Sequence, residues 1–276
     1  MPEGRQPRYR EAVRTYLDTI LEATYDRVED EKRKMSFGDL DREAQTMGPT
    51  RPFLAAMRGE HISLIAEFKR RSPSKGLIRE DYEPGQAAEA YARGGASAMS
   101  VLTEPQFFDG SMDDLAKARA ACKLPMLRKD FLVDPYQVVQ ARAGGADAIL
   151  LIVAGLPDFG RFADLANVAE DYGLTVLVEI HDPHELDAAF NIEPKLVGVN
   201  QRNLSTFEVD TTLAIKLRRQ IPTDVSMVAE SGITSRKQVE DLQEAGVDAI
   251  LVGETLMRAD DPARAAADLL GAEYTE

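Results

Sequence analysis

The chain reads as a single-domain α/β protein, a (β/α)8 barrel with an N-terminal helical extension, and three observations lead there. From about residue 61, eight short apolar runs alternate with amphipathic segments. A glycine-marked repeat punctuates that alternation. The length, 276 residues with 44% hydrophobic content, suits the roughly 250 residues that one such barrel takes.

The first sixty residues come before the alternation and form the extension. Val13, Leu17, Ile20, Leu21, Thr24 and Val28 fall at helical spacing and make one mostly apolar stripe. A charged stretch, 27–34, follows. Ser36-Phe-Gly-Asp39 reads as a turn and Asp39–Met47 as a short helix, and 51–58 leads into the first strand with Phe53 and Leu54. Residues 1–60 are thus expected to pack on the barrel as a helical cap or a lid. Residues 61–276 make the barrel itself, one structural domain overall.

The eight apolar runs are Ile62–Phe68, Ala98–Leu102, Pro125–Leu127 with its continuation to Phe131, Ala148–Val153, Leu174–Ile180, Leu196–Val199, Ser226–Ala229 and Ala249–Val252. They are near-continuously hydrophobic, as strands buried on both faces are. Strands alternating with helices imply parallel βαβ units. Eight such units favour closure into a barrel over an open doubly wound sheet. The repeat agrees: Ala92-Arg-Gly-Gly-Ala-Ser-Ala98, Ala143-Gly-Gly-Ala-Asp-Ala148 and Ala245-Gly-Val-Asp-Ala249 precede strands two, four and eight. Their separations correspond to two and four units of about 25 residues. Each copy ends a helix on glycine.

Composition excludes several classes. A net charge of -14 argues against a nucleic-acid partner, whose phosphates need a positive face. No apolar run is long enough for a membrane span, and the opening residues lack the apolar core of a secretory signal. A single cysteine, Cys122, rules out an internal disulfide and reads as a packed residue. These features suit a cytoplasmic protein. An acidic chain that takes an anionic substrate must gather positive groups locally, so lysines at apolar strand ends carry the information.

In (β/α)8 barrels the chemistry sits at the C-terminal ends of the strands. There the sequence offers Glu67, Lys69, Arg70 and Ser72; Thr103, Glu104, Phe107 and Phe108; Arg128, Lys129, Asp130 and Phe131; Glu179 and His181; Asn200, Arg202 and Asn203; Glu230, Ser231 and Gly232; Gly253, Glu254 and Thr255. Glu67 and Lys69 are two apart on one strand and share a face. Two lysines and several carboxylates around one mouth are costly unless paired or used, and such clusters set acid and base roles. Ser231-Gly232 and Gly253 form a candidate phosphate cup after the last two strands, where glycine lets backbone N–H groups approach. His181 and His184 flank a turn, but no carboxylate–histidine pattern supports a metal site, so no metal is expected.

These residues also carry a resemblance. Ile65-Ala-Glu-Phe-Lys-Arg-Arg-Ser-Pro-Ser-Lys-Gly76 resembles the strand-one signature of indole-3-glycerol-phosphate synthases. Leu102-Thr-Glu104, Phe108-Asp-Gly110, Leu127-Arg-Lys-Asp-Phe131, Val178-Glu-Ile-His181, Gly198-Val-Asn-Gln-Arg-Asn-Leu204, Ala229-Glu-Ser-Gly232 and Val252-Gly-Glu-Thr-Leu-Met257 follow in that family's order. The similarity spans about 51–258, and the helical extension at 6–48 is similar in length. It implies a carboxy-lyase of tryptophan biosynthesis that needs no cofactor and acts on the sugar phosphate 1-(2-carboxyphenylamino)-1-deoxyribulose 5-phosphate.

By the same resemblance, Lys129 is the acid that protonates the ketone oxygen. Lys69 neutralises the substrate carboxylate and supplies a proton during dehydration, although the sequence leaves the division between the two lysines open. Glu179 stabilises positive charge on the anilino nitrogen and takes its proton. Glu67, Asn200 and Glu230 orient the lysines and the sugar hydroxyls. Ser72, Phe108, Phe131, Arg202 and Leu204 bind substrate, the aromatic rings and Leu204 forming an apolar slot. Ser231, Gly232 and Gly253 bind phosphate, and Glu254, where some family members have serine, contributes backbone only. The implied enzyme is a monomer or weak homodimer in contact with other tryptophan-pathway enzymes. Two other readings of the residues stand beside this one: a Schiff-base aldolase or lyase with Lys129 as nucleophile, and a non-catalytic phosphate-ligand-binding barrel.

Overall fold

The computed structural model describes residues 15–156, 158–204 and 206–274. Eight parallel strands close into a barrel in simple sequential order: β1 (Ser63–Phe68), β2 (Ala98–Leu102), β3 (Met126–Lys129), β4 (Ala148–Ile152), β5 (Thr175–Ile180), β6 (Leu196–Asn200), β7 (Ser226–Glu230) and β8 (Ala249–Val252). β1 pairs with β2 on one side and with β8 on the other, which shuts the sheet. Each predicted apolar run coincides with a strand to within a residue or two. All but a few strand residues are buried, as expected of a sheet sandwiched between a packed interior and a ring of helices.

The repeated glycines do what the sequence suggested. Gly95, Gly145 and Gly246 all have φ between 85° and 88°, the left-handed conformation that glycine adopts without a Cβ clash. In each copy the next residue's N–H reaches back to close the helix: Ala96 to Tyr91 O, Ala146 to Ala141 O and Val247 to Leu242 O. The chain then turns into the following strand.

The extension is divided between the two barrel ends. Helix α1 (Tyr16–Lys34) starts on a Thr15–Asp18 capping box and buries Leu17, Ile20, Thr24 and Val28, the predicted stripe; Val13, its first member, lies outside the described residues. Helix α2 (Phe37–Thr46) begins two residues before the predicted Asp39. Ser36 accepts from Asp39 N–H, and so serves as an N-cap rather than as part of a free-standing turn. Helix α3 (Phe53–Ala56) occupies the opposite, N-terminal rim. There Arg51 N–H donates to Asp147, just before β4, and Arg58 Nε donates to Ser226, the first residue of β7. Phe53 and Met57 are fully buried and join the interior cluster of Ile65, Ala98, Leu127 and Leu150. One end is therefore plugged with hydrocarbon, leaving the other for polar chemistry. No helix among the described residues is long and apolar enough to cross a membrane.

Candidate active site

At the C-terminal ends of the strands lies a cavity of about 680 Å³. It is lined by every residue to which the family resemblance gives a role: Glu67, Lys69 and Ser72; Phe108; Lys129 and Phe131; Glu179; Asn200, Arg202 and Leu204; Glu230, Ser231 and Gly232; Gly253 and Glu254. The polar cluster at its floor is a chain of contacts. Lys129 Nζ donates to Glu179 Oε2 at 3.2 Å and lies 3.9 Å from Glu230 Oε2. Asn200 Nδ2 donates to Glu179 Oε1 at 3.2 Å, and Asn200 Oδ1 accepts from Ser231 Oγ at 2.8 Å. Lys69 Nζ bonds Glu67 Oε1 at 2.5 Å.

Burial and charge set the protonation states. Burial alone would strip the proton from Lys129, but Glu179, Glu230 and Glu67 outweigh it and hold its pKa above the ordinary lysine range. Burial would raise Glu179; Lys129, His181 and Asn200 reverse that and keep it below the usual carboxylate range. Glu230 goes the other way, pushed well up by burial and then by Glu179, with Lys129 offsetting only part. Two carboxylates on β5 and β7, with β6 between them, are thus driven apart, one ionised and one protonated, which is how such sites separate acid and base roles.

Size is as closely fitted as charge. A Cβ on Gly253 would lie 3.1 Å from both Glu67 Cδ and Lys69 Nζ. Its missing side chain makes room for the Glu67–Lys69 pair, a reason the sequence reading did not give. Ser231 and Gly232 have successive φ of 69° and 77°. Left-handed backbone at a serine costs of order 1–3 kcal/mol. Ser231 is held there by Gln201 Nε2 donating to its carbonyl at 2.8 Å and by its own bond to Asn200. Glu254 turns toward Arg258 Nε (3.1 Å) and Lys75 Nζ (3.6 Å).

The apolar wall comes from three places. Phe108 and Phe131 face one another with ring centroids 6.1 Å apart. Leu204 and Phe207 follow β6, and Arg202, bonded to Phe207 O at 3.1 Å, braces their loop. The third part comes from the extension: Tyr16, Leu17 and Ile20 of α1 line the cavity. Tyr16 makes edge contacts with Phe107 and Phe207 at 5.6 and 5.7 Å. The helix is a roof over the site.

Some strand-end residues do not join the cavity. Glu104 spends both carboxylate oxygens on the N–H groups of Gln106, Phe107 and Phe108. Arg128 and Thr103 belong to a buried network behind β3 with Asp130, which also lines the cavity. In that network Arg27 of α1 grips Asp130 with two bonds of 2.9 and 3.2 Å, while Arg128 donates to Asp130 at 2.9 Å. His184 is exposed, whereas His181, given no role by the sequence reading, lies buried with Nε2 3.1 Å from Glu179 Oε1. The two-residue spacing of Glu179 and His181, the same signal used for Glu67 and Lys69, could have found it. Among the described residues no group of three or more His, Cys, Asp or Glu is placed to hold a metal ion.

Fold and site together define a (β/α)8 barrel of the enzyme class, with two lysines, several buried carboxylates and the glycines at 232 and 253 gathered in one cavity at the C-terminal ends of its strands. Comparisons with known proteins make the assignment specific. The profile of the family described as indole-3-glycerol phosphate synthase matches residues 17–269, and this chain belongs to that family. It is 46% identical over 261 residues to the indole-3-glycerol phosphate synthase of Acidovorax sp. (strain JS42), covering 92% of this chain and 98% of that one. It is 48% identical over 231 residues to the enzyme of that name from Albidiferax ferrireducens, covering 82% and 87%. Among solved structures, a thiamine phosphate pyrophosphorylase from Pyrococcus furiosus superposes with a TM-score of 0.56 at 17% identity, over 75% of this chain and 93% of that one; that likeness bears on the fold alone.

Proposed function

We propose that this chain performs the indole-3-glycerol phosphate synthase reaction: ring closure, decarboxylation and dehydration of 1-(2-carboxyphenylamino)-1-deoxyribulose 5-phosphate. The observation that carries the proposal is the meeting of Lys69, Lys129 and Glu179 in one cavity that also contains Ser231 and Gly253. The ring carbon bearing the carboxylate attacks the sugar ketone. As that C–C bond forms, Lys129 passes its proton to the ketone oxygen. Its raised pKa keeps it protonated until negative charge develops there. Lys69 neutralises the substrate carboxylate before carbon dioxide leaves and supplies the proton with which the hydroxyl departs as water. Glu179 stabilises positive charge on the anilino nitrogen until carbon dioxide leaves and the benzene ring is restored, and takes the proton that the adjacent methylene carbon loses as the hydroxyl departs, so the indole keeps its N–H.

Glu67 holds Lys69, Asn200 holds Glu179, and Glu230 faces the sugar hydroxyls. Ser72 and Arg202 lie at the carboxylated ring, which slots between Phe108, Phe131 and Leu204. The phosphate takes backbone N–H groups at Ser231, Gly232 and Gly253, with Glu254 contributing backbone only, since its carboxylate repels an anion and is already turned to Arg258. The same reading puts the enzyme in the cytoplasm, as a monomer or weak homodimer in contact with other tryptophan-pathway enzymes.

Incubation with the carboxyphenylamino substrate tests the proposal directly. The chain has no Trp, so growing indole emission reports turnover against a dark background. Tight binding without emission would leave a ligand-binding barrel instead. A Schiff-base aldolase needs Lys129 neutral, contrary to its raised pKa; borohydride with a ketose phosphate should leave Lys129 unmodified, and a covalent adduct there would favour the aldolase.

A further inference from the structure

His181 is a buried titratable group beside the reacting cluster that the mechanism above does not use. It follows Glu179 by two residues, immediately after the end of β5, and points to the same side. Its ring is buried, with 8% of the side chain exposed. Nε2 lies 3.1 Å from Glu179 Oε1, and Nδ1 lies 3.8 Å from Glu185 Oε2 in the turn after β5. Glu185 is itself fixed, since the same oxygen accepts from the His181 N–H at 2.8 Å. Neither ring nitrogen has an in-line hydrogen-bond partner, so the contacts are ion pairs rather than directed bonds.

That geometry decides the charge on the ring. A neutral imidazole carries a lone pair on one nitrogen. Here either tautomer would leave that lone pair close to a carboxylate. Only the imidazolium presents N–H to both.

We propose that His181 is a positioning residue: clamped between Glu179 and Glu185, it supplies a fixed cation that keeps the Glu179 carboxylate ionised and turned so that its other oxygen faces Lys129. The inference rests on the reading above in which Glu179 works as an anion. The groups facing Glu179 are then fully assigned. Lys129 on β3 and His181 just after β5 favour its charge, Asn200 on β6 donates to it, and Glu230 on β7 opposes it. The groups facing His181 are Glu179 and Glu185. Burial opposes its charge, and the two carboxylates overcome that and push its pKa up to about 9.

The experiment compares wild type with His181→Gln and Glu185→Gln, using exposed His184→Gln as a control. Wild type should show kcat declining on the alkaline side near pH 9. His181→Gln should lose that limb and about tenfold in kcat, with KM changed by less than about twofold. Glu185→Gln, which leaves the ring in place, should move the limb to lower pH. A limb near pH 9 that survives in His181→Gln, or variants indistinguishable from wild type while wild type turns over, would overturn the proposal. If His181→Gln does not fold by circular dichroism, the displacement in Glu185→Gln decides.

A second readout does not depend on turnover. The imidazole C–H proton resonances of the three histidines are followed by NMR against pH, with Glu179→Gln and Glu185→Gln each lowering the titration near 9. A His181 that titrates at the free value of about 6.5 ends the inference even in an active enzyme. A wild type that fails to make the indole product, with this titration intact, refutes the substrate instead.

Discussion

Gly198→Ala is the most demanding test of how tightly the site is packed. Gly198 sits inside β6 and does not have positive φ, so alanine suits its backbone. The space beside it does not. A Cβ there would overlap Glu230 Oε1, lie 3.3 Å from Glu230 Cδ and come 3.2 Å from Leu177 Cδ1. Leu177 is fully buried and cannot retreat, so Glu230 must move by about 1 Å, carrying with it the carboxylate 3.9 Å from Lys129. A misplacement of that size costs roughly 10²-fold in rate, about 2.7 kcal/mol of barrier. Overpacking the strand adds about 1–3 kcal/mol of lost stability. Stopped-flow indole emission gives kcat and KM, and thermal melts by circular dichroism give the second quantity. Wild-type kcat in a folded Gly198→Ala protein would refute the argument that Gly198 is empty in order to seat Glu230.

Three further outcomes are expected. Lys129→Ala should lower kcat by about 10²–10⁴ while the circular dichroism spectrum stays native; near-normal turnover would remove Lys129 from the mechanism. Asp130→Ala strands Arg128, buried and without its carboxylate, and should cost about 3–5 kcal/mol in urea denaturation, whereas an unchanged midpoint would mean the network contributes nothing. His181 binds its proton more tightly folded than unfolded, so its contribution to stability is fully present below about pH 6.5. That contribution fades as pH rises through about 9. The melting temperature of wild type should therefore fall further between pH 7 and 10 than that of His181→Gln, and parallel curves would deny the linkage.

The strands were legible because their apolar runs need no context: Ala148–Val153 or Ala249–Val252 has nowhere to go but between two hydrophobic layers. The lysines and carboxylates at the mouth were legible by the same logic, since Lys129 follows a buried run and must find partners. Legibility failed where local hydrogen bonding competes with direction. Glu104 looked like a mouth carboxylate, yet the N–H groups just after Pro105 are nearer than the cavity. Ser36 looked like a turn, yet its hydroxyl starts α2. The protonation of Lys129 was beyond the sequence because burial and three carboxylates oppose each other, and only distances give their sum. The Tyr16–Phe107–Phe207 cluster joins segments that no periodicity connects.

The clasp between Arg27 and Asp130 has a bearing on how the molecule is made. Its partners are 103 residues apart, and a ribosome adding about 5–20 residues per second needs roughly 5–20 s to cover that distance. Throughout that interval the oily flank of α1 has no barrel to rest on, and β1 must wait longer still for β8, its final neighbour. The segment that ends as a roof over the cavity therefore begins as an uncovered apolar surface on the nascent chain, one that a chaperone at the exit tunnel can hold until Asp130 arrives.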